Sequence, residues 1–267
     1  MALAHYDREI DEVTERFLAD ARRSTWDPKA TARAALHKIK PSDDLLELTW
    51  NLSSGSVYAE QLGLEAASVI VTESPDAAAK LIGATAVADE GRHSAVFAYY
   101  AEAVGGVVAD PPEPIENLSR GLLAMEHPAA RALAHMLLEG FASDEFLWFV
   151  RGLRSTGLGD IYRLVRRDES RHVGLGMHYL TRGAGLRLLA TMPAEDLLHS
   201  EEFVVRYSDL GSIESLVRRL NPTVRPGSVS AWMRRRHQKR MSIIFAARHD
   251  APELHRYRRD NPVWAVH

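Results

Sequence analysis

The chain has 267 residues, 46% hydrophobic and 26% charged, with a formal charge of −3, the balance of an ordinary soluble globular protein with ample material for a core. It contains no cysteine, which excludes disulfides, iron–sulfur clusters, thiolate zinc and cysteine nucleophiles, so electrons for any oxygen chemistry must come from the substrate or an external donor. The opening MALAHYDREIDEV is charged, unlike a signal peptide, and no stretch approaches the apolar length of a membrane span, so a cytoplasmic protein is expected.

Residues 5–21 carry Tyr6, Ile10, Val13 and Phe17 at helical spacing, predicting an amphipathic helix. Pro28 and Pro41 bracket a second short helix containing Ala35, Leu36 and Ile39. Both are expected outside the main domain, with no metal role for His5 or His37. Ser42, Asp43 and Asp44 are capping residues for the next helix, which runs to Glu73. Gly55 is a candidate break there, leaving residues 56–73 as the first bundle helix. Pro75 starts a second helix that continues to Val104. The segment GGVVADPPEPIEN, with three prolines, is the one long connection.

A third long helix starts near Pro128 and carries Leu133, Met136, Leu137, Phe141 and Trp148. A fourth begins after Gly157 and ends near Arg182 and Gly183. Gly174 and Gly176 inside it each cost about 1 kcal/mol relative to Ala; close helix packing and room beside a ligand site both account for them. Shorter helices are expected over 194–207, 212–220 and 228–248, separated by Pro222, Pro226 and Pro252. The whole is all-α: N-terminal helices over 1–41, a four-helix bundle over 42–185 and a helical extension over 186–267.

The chemistry sits in a doubled motif. DEGRH (residues 89–93) and DESRH (residues 168–172) each place a Glu and a His three residues apart, on nearly one helix face. Each copy has a lone carboxylate thirty residues upstream, Glu60 before Glu90 and Glu139 before Glu169. Turn signals lie at both midpoints, so each pair belongs to a helical hairpin whose members stand roughly 22 Å from the turn at 1.5 Å per residue. Packing the hairpins together gathers Glu60, Glu90, His93, Glu139, Glu169 and His172 in one core. That is the ligand set of ferritin-like di-iron or di-manganese bundles, and carboxylates buried without a cation would be very costly. The oxygen-rich set suits iron or manganese, with two Fe ions expected and Mn/Fe as the variant. Glu65, rotated about 140° from Glu60 at 100° per residue, is non-ligating. His135, one turn before Glu139, is a metal ligand or a packing residue.

Residues 137–150, LLEGFASDEFLWFV, followed by RRDESRHVGLGMHYL at 166–180, resemble the second half of the ribonucleotide reductase small subunit. ADEGRHSAVF at 88–97 resembles its first metal-binding helix. The doubled motif is equally similar to that of acyl-carrier-protein desaturases and bacterial di-iron monooxygenases, and the resemblance covers residues 56–182. It implies that Asp89 orients His172 and Asp168 orients His93, with Arg92 and Arg171 in support. It also implies O2 as co-substrate, an external electron donor and a homodimer. Two positions depart from the reductase pattern: Phe97 stands where the radical tyrosine would lie, and Glu60 where Asp is usual. Ser143, one turn after Glu139, matches the hydroxyl that related monooxygenases place beside the oxygen site; a solvent-facing serine is the other reading. Tyr162 and Tyr179, seven residues from Glu169 and His172, either line one channel, Tyr162 with a redox role, or are core packing.

The function expected is a di-iron oxygenase that hydroxylates, N-oxygenates or desaturates a small organic substrate. The alternatives are ferroxidase or ferritin-like iron handling, and a reductase-like radical or ligand-binding oxidase with a Mn/Fe centre. Residues 218–267 hold twelve Lys or Arg against three Asp or Glu, and Arg234, Arg235, Arg236, Lys239 and Arg240 crowd one helix. This run is a solvated face or a dock for an acidic partner, either a carrier protein or an electron-transfer protein. Sparse aromatics and the acidic whole argue against nucleic acid.

Overall fold

The computed structural model describes residues 10–38, 41–74, 76–111, 113–248, 250, 252 and 256. Among them are eleven helices and no strand. Four long ones form the bundle: α3 (Asp43–Glu73), α4 (Ala77–Gly105), α6 (Pro128–Gly152) and α7 (Gly157–Thr181). α3 packs along α4 and α6 along α7, and contacts of α4 with α7 and of α3 with α6 close the bundle. None of the helices among the described residues is long and apolar enough to cross a membrane.

The hairpin turns fall where the sequence signals them. Asp76 caps α4 by accepting from Ala79 N at 2.8 Å, and its other carboxylate oxygen accepts from the Tyr179 hydroxyl of α7. The same residue therefore starts one bundle helix and ties it to another. At the far end, Gly106 adopts φ 80°, the left-handed conformation that ends α4 without a Cβ penalty. Pro128 opens α6 behind His127, whose side chain accepts from Ala129 N at 3.1 Å.

Gly55 does not break α3; the helix runs from Asp43 with Ser42 as its N-cap. No heavy atom outside its own helix would lie within 4 Å of a Cβ at Gly55, and one glycine costs only about 1 kcal/mol against the packing of a 31-residue helix. Gly174 and Gly176 are settled as close packing: a Cβ at Gly176 would lie 2.7 Å from Met136 Cγ, and one at Gly174 2.9 Å from Phe17 Cζ.

Two helical layers flank the bundle. α1 (Glu12–Arg23) and α2 (Pro28–Lys38) lie against α4 and α7; Tyr6, His5 and Ile39 fall outside the described residues, and His37 is exposed. The long connection contains a helix the proline-rich pattern hides, α5 (Glu113–Leu123), which packs on α3, α6 and α9. The C-terminal helices α8 (Gly183–Thr191), α9 (Ala194–Tyr207), α10 (Leu210–Leu220) and α11 (Ser228–Ala246) gather mainly on α6, with α8 and α11 also touching α7. α8 was not legible as a separate element. Sandwiched this way, α6 is buried on nearly every side, so it lacks the polar stripe of a surface helix.

The basic stretch of α11 is not wholly a surface. Met233, His237 and Met241 are buried, and so is Arg240, whose guanidinium donates to Asp144 Oδ2 at 2.7 Å. Arg236 donates to the other oxygen of Asp144. These two arginines bind α11 to α6, leaving Arg235 and Lys239 exposed and without an ion pair among the described residues.

Candidate metal centre

Each helix of the bundle delivers one part of the site at mid-height. α3 brings Glu60, α4 Glu90 and His93, α6 Glu139, and α7 Glu169 and His172, all at most 5% exposed. Two overlapping groups could each hold a metal ion: Glu60, Glu90, His93 and Glu169 in one, and Glu90, Glu139, Glu169 and His172 in the other. Glu90 and Glu169 belong to both and would contribute to either ion, while Glu60 with His93 and Glu139 with His172 would each help hold one.

The imidazoles orient the same way. His93 Nδ1 lies 3.2 Å from Glu60, 3.6 Å from Glu90 and 3.0 Å from Glu169. His172 Nδ1 lies 3.1 Å from Glu90, 3.2 Å from Glu139 and 3.5 Å from Glu169. Their Nε2 atoms point away, each to the aspartate of the opposite motif: His172 to Asp89 at 3.0 Å and His93 to Asp168 at 3.4 Å. With Nε2–H donating there, Nδ1 turns its lone pair toward carboxylate oxygens. Only a proton or a cation reconciles such a set of acceptors. Both oxygens of Glu169 and Oε1 of Glu90 are buried and make no well-aligned hydrogen bond among the described residues, as expected of oxygens shaped for a cation. Four carboxylates offset two divalent ions, so the residues present fit a di-metal cofactor.

The titration pattern has a common origin. Burial, then repulsion by Glu169 and Glu90, pushes the Glu60 and Glu139 carboxyls well above the usual range. Burial acts on Glu90 too, but bonds to His172 and His93 outweigh it and hold this carboxyl well below that range. Burial opposes charge on both imidazoles, yet Asp168 and Glu169 around His93, and Asp89 and Glu139 around His172, raise both. Metal entry must therefore displace protons.

Around this core runs a buried ion network. Arg171 donates to Asp168 Oδ1 at 3.0 Å and also to Asp89, while Arg92 pairs with Asp89 and approaches Asp168 at 3.4 Å. The network includes a residue that sequence reasoning missed. Trp26, from the loop between α1 and α2, donates its indole N–H to Asp168 Oδ2 at 3.0 Å. Its ring stacks on His93 with centroids 6.0 Å apart, under the Arg92 guanidinium. No motif spacing marks a tryptophan 142 residues from its acceptor. Gly63 is the other omission. It lies one turn after Glu60, and a Cβ there would come 3.0 Å from Glu90 Oε2.

A cavity of about 330 Å³ opens directly on Glu60, Glu90, Glu139 and Glu169. Its wall comes from α3, α4, α5, α6, α7, α9 and α10 and is largely apolar, including Leu62, Leu118, Leu138, Phe146 and Phe149. Tyr162 lines it, its hydroxyl 2.9 Å from Ser56 Oγ. Tyr179 does not share this space: it borders a small separate cavity with Gly176 and His172, because it lies one side of the ligands along α7 and Tyr162 the other. Ser143 is buried, but its hydroxyl meets Ser170 Oγ at 3.0 Å and does not line the cavity beside the carboxylates. Phe97 is fully buried against Tyr162, ring centroids 5.0 Å apart. His135 borders both cavities and stands 3.1 Å from Glu139, outside the two metal-holding groups. Burial, then the charge of His172, lowers it to about 4, so it is neutral at neutral pH. Glu65 is exposed and accepts from Ser119.

No protein-family model matches the chain, and no curated protein does. Solved structures do match. A variant of an R2-like ligand-binding oxidase with an anaerobically reconstituted Mn/Fe cofactor superposes with a TM-score of 0.61 at 14% identity, covering 87% of this chain and 93% of that one. An R2-like ligand-binding oxidase with an aerobically reconstituted metal cofactor, after photoconversion, gives 0.61 at 13% identity over the same shares. The R2-like ligand-binding oxidase from Sulfolobus acidocaldarius gives 0.55 at 15% identity, covering 90% and 92%. At such identities the likeness establishes a shared ferritin-like helical fold.

Proposed function

We propose that this protein is an oxygen-dependent di-metal oxidase acting on a small organic substrate held in the cavity that opens on the metal-site carboxylates, by hydroxylation, N-oxygenation or desaturation. The observation that carries this reading is the opening of a largely apolar cavity onto all four metal-binding carboxylates. Two Fe ions, or the Mn/Fe pair named for the similar structures, would supply oxygen activation and accept electrons from the substrate. Glu90 and Glu169 would hold the ions together, with Glu60 and His93 on one and Glu139 and His172 on the other. Asp89 and Asp168 fix the Nε2–H tautomer of each imidazole, and Arg92 and Arg171 balance their charge. The apolar wall excludes water and orients the substrate. The Tyr162 hydroxyl, kept protonated by burial first of all, pairs with Ser56 at the cavity wall.

The test is anaerobic loading with Fe(II), or with Mn(II) and Fe(II), followed by oxygen, with oxygen uptake and absorbance recorded. The loaded protein should consume oxygen faster than aqueous ferrous ion and form a transient absorbing species. Inertness toward oxygen with every metal combination and reductant would overturn the reading.

A further inference from the structure

One side chain in the cavity serves neither the metal site nor the fold. Glu145 lies on α6, six residues after Glu139 and so about 9 Å further along the helix at 1.5 Å per residue. It lines the cavity with Phe146, Phe149 and Tyr162. Its two neighbours in sequence are fully committed: Asp144 holds Arg240 and Arg236, and Phe146 packs on Tyr162 with centroids 4.9 Å apart. Glu145 makes no hydrogen bond or ion pair among the described residues. Among the described residues the cavity wall contains no Lys or Arg. With two divalent ions neutralising the four ligand carboxylates, Glu145 is the remaining charge in that space.

We propose that the cavity takes a substrate bearing a protonated amine, and that Glu145 binds the ammonium group while the apolar body of the molecule reaches the metal site. This deepens the proposed function and rests on its reading of the cavity as the substrate site. A desolvated carboxylate without a partner is costly, and a cation placed beside it removes that cost. The aromatic faces of Phe146, Phe149 and Tyr162 add a second attraction for an ammonium group. An anionic substrate would find no counter-charge in the wall beyond the metals. Burial alone raises the Glu145 carboxyl to about 7, so a bound cation has a gain available near neutral pH by stabilising the ionised form.

The experiment measures calorimetric binding of n-octylamine, octan-1-ol and octanoate to the full-length protein loaded with Mn(II) under anaerobic conditions. Octylamine should bind about tenfold or more tightly than octan-1-ol at pH 8, the scale expected for a desolvated charge pair. Glu145→Gln should abolish that preference while leaving octan-1-ol binding within about twofold, and Glu145→Asp should retain it. The preference should shrink on lowering the pH to 6 in the wild type and show no such change in the Gln variant. Equal binding of amine and alcohol, a preference that survives Glu145→Gln, a preference for octanoate that depends on Glu145, or failure of all three probes to bind would overturn the proposal. No readout requires turnover. A protein inert to oxygen that still prefers the amine sinks the oxidase reading alone, and an oxygen-reactive protein without the preference sinks the amine site alone.

Discussion

Replacing Glu145 with Gln should stabilise the protein, and by an amount that depends on pH. The side chain is half-buried by area because it borders the cavity, and burial raises its carboxyl from the usual 4.5 to about 7. The folded state therefore binds this proton more tightly than the unfolded chain. That stability is fully present below about pH 4.5, falls as pH rises toward 7, and is absent above 7. At about 1.36 kcal/mol per pKa unit, the ionised side chain costs the native state about 3 kcal/mol at pH 8.5 and about 1 kcal/mol at pH 5.5. Gln has nearly the same shape and no charge, so Glu145→Gln should gain those amounts. For 267 residues at about 2.1 cal/mol/K each, the unfolding entropy is ~0.56 kcal/mol/K, and 3 kcal/mol corresponds to a Tm higher by about 5 °C. The assay is paired thermal and urea unfolding of both proteins at pH 5.5 and 8.5 with saturating Mn(II), so that the pH dependence of metal binding cancels in the difference. A difference that is flat with pH, or a Gln variant less stable at pH 8.5, would refute the claim that this carboxylate is desolvated and unpaired.

Other perturbations test the remaining parts. Glu169→Ala or His172→Ala should lower metal content at least severalfold while circular dichroism keeps its helical signal; full occupancy in both would remove the metal site. Asp144→Ala leaves the buried Arg240 guanidinium without its carboxylate and should cost about 3 kcal/mol or more, read by denaturant unfolding with metal content unchanged; Arg236, with its side chain 47% exposed, adds little to that figure. Gly63→Ala puts a methyl group 3.0 Å from Glu90 Oε2, so that carboxylate must move: metal affinity should fall by about tenfold, and an unchanged affinity and absorption spectrum would show that α3 yields instead. If Arg235 and Lys239 form the dock for an acidic carrier or electron donor, reversing both to Glu should slow turnover with that partner at low ionic strength and leave metal content intact; unchanged turnover would return α11 to a solvated face.

What the sequence determined was whatever repeats at short range. Helical periodicity and proline placement set α4, α6 and α7 to within a few residues. The doubled Glu-x-x-His with its thirty-residue offsets identified which six side chains meet, because a hairpin turned at its midpoint must bring equal distances to equal heights. Limits appeared where the outcome depends on groups far apart in the chain. Gly55 resembles a break, yet the packing of α3 on α4 and α6 outweighs one glycine's propensity. α5 lies hidden in a proline-rich connection whose apolar face gains meaning only against α3 and α9. Trp26 joins Asp168 through a tertiary contact that no local pattern encodes. Tyr162 and Tyr179, symmetric about the ligands in sequence, open on different cavities because they lie on opposite sides of the site along α7. Glu145 is indistinguishable in sequence from a surface glutamate. Only the closure of α3, α5 and α10 over α6 takes water from it and leaves it facing the cavity without a partner among the described residues.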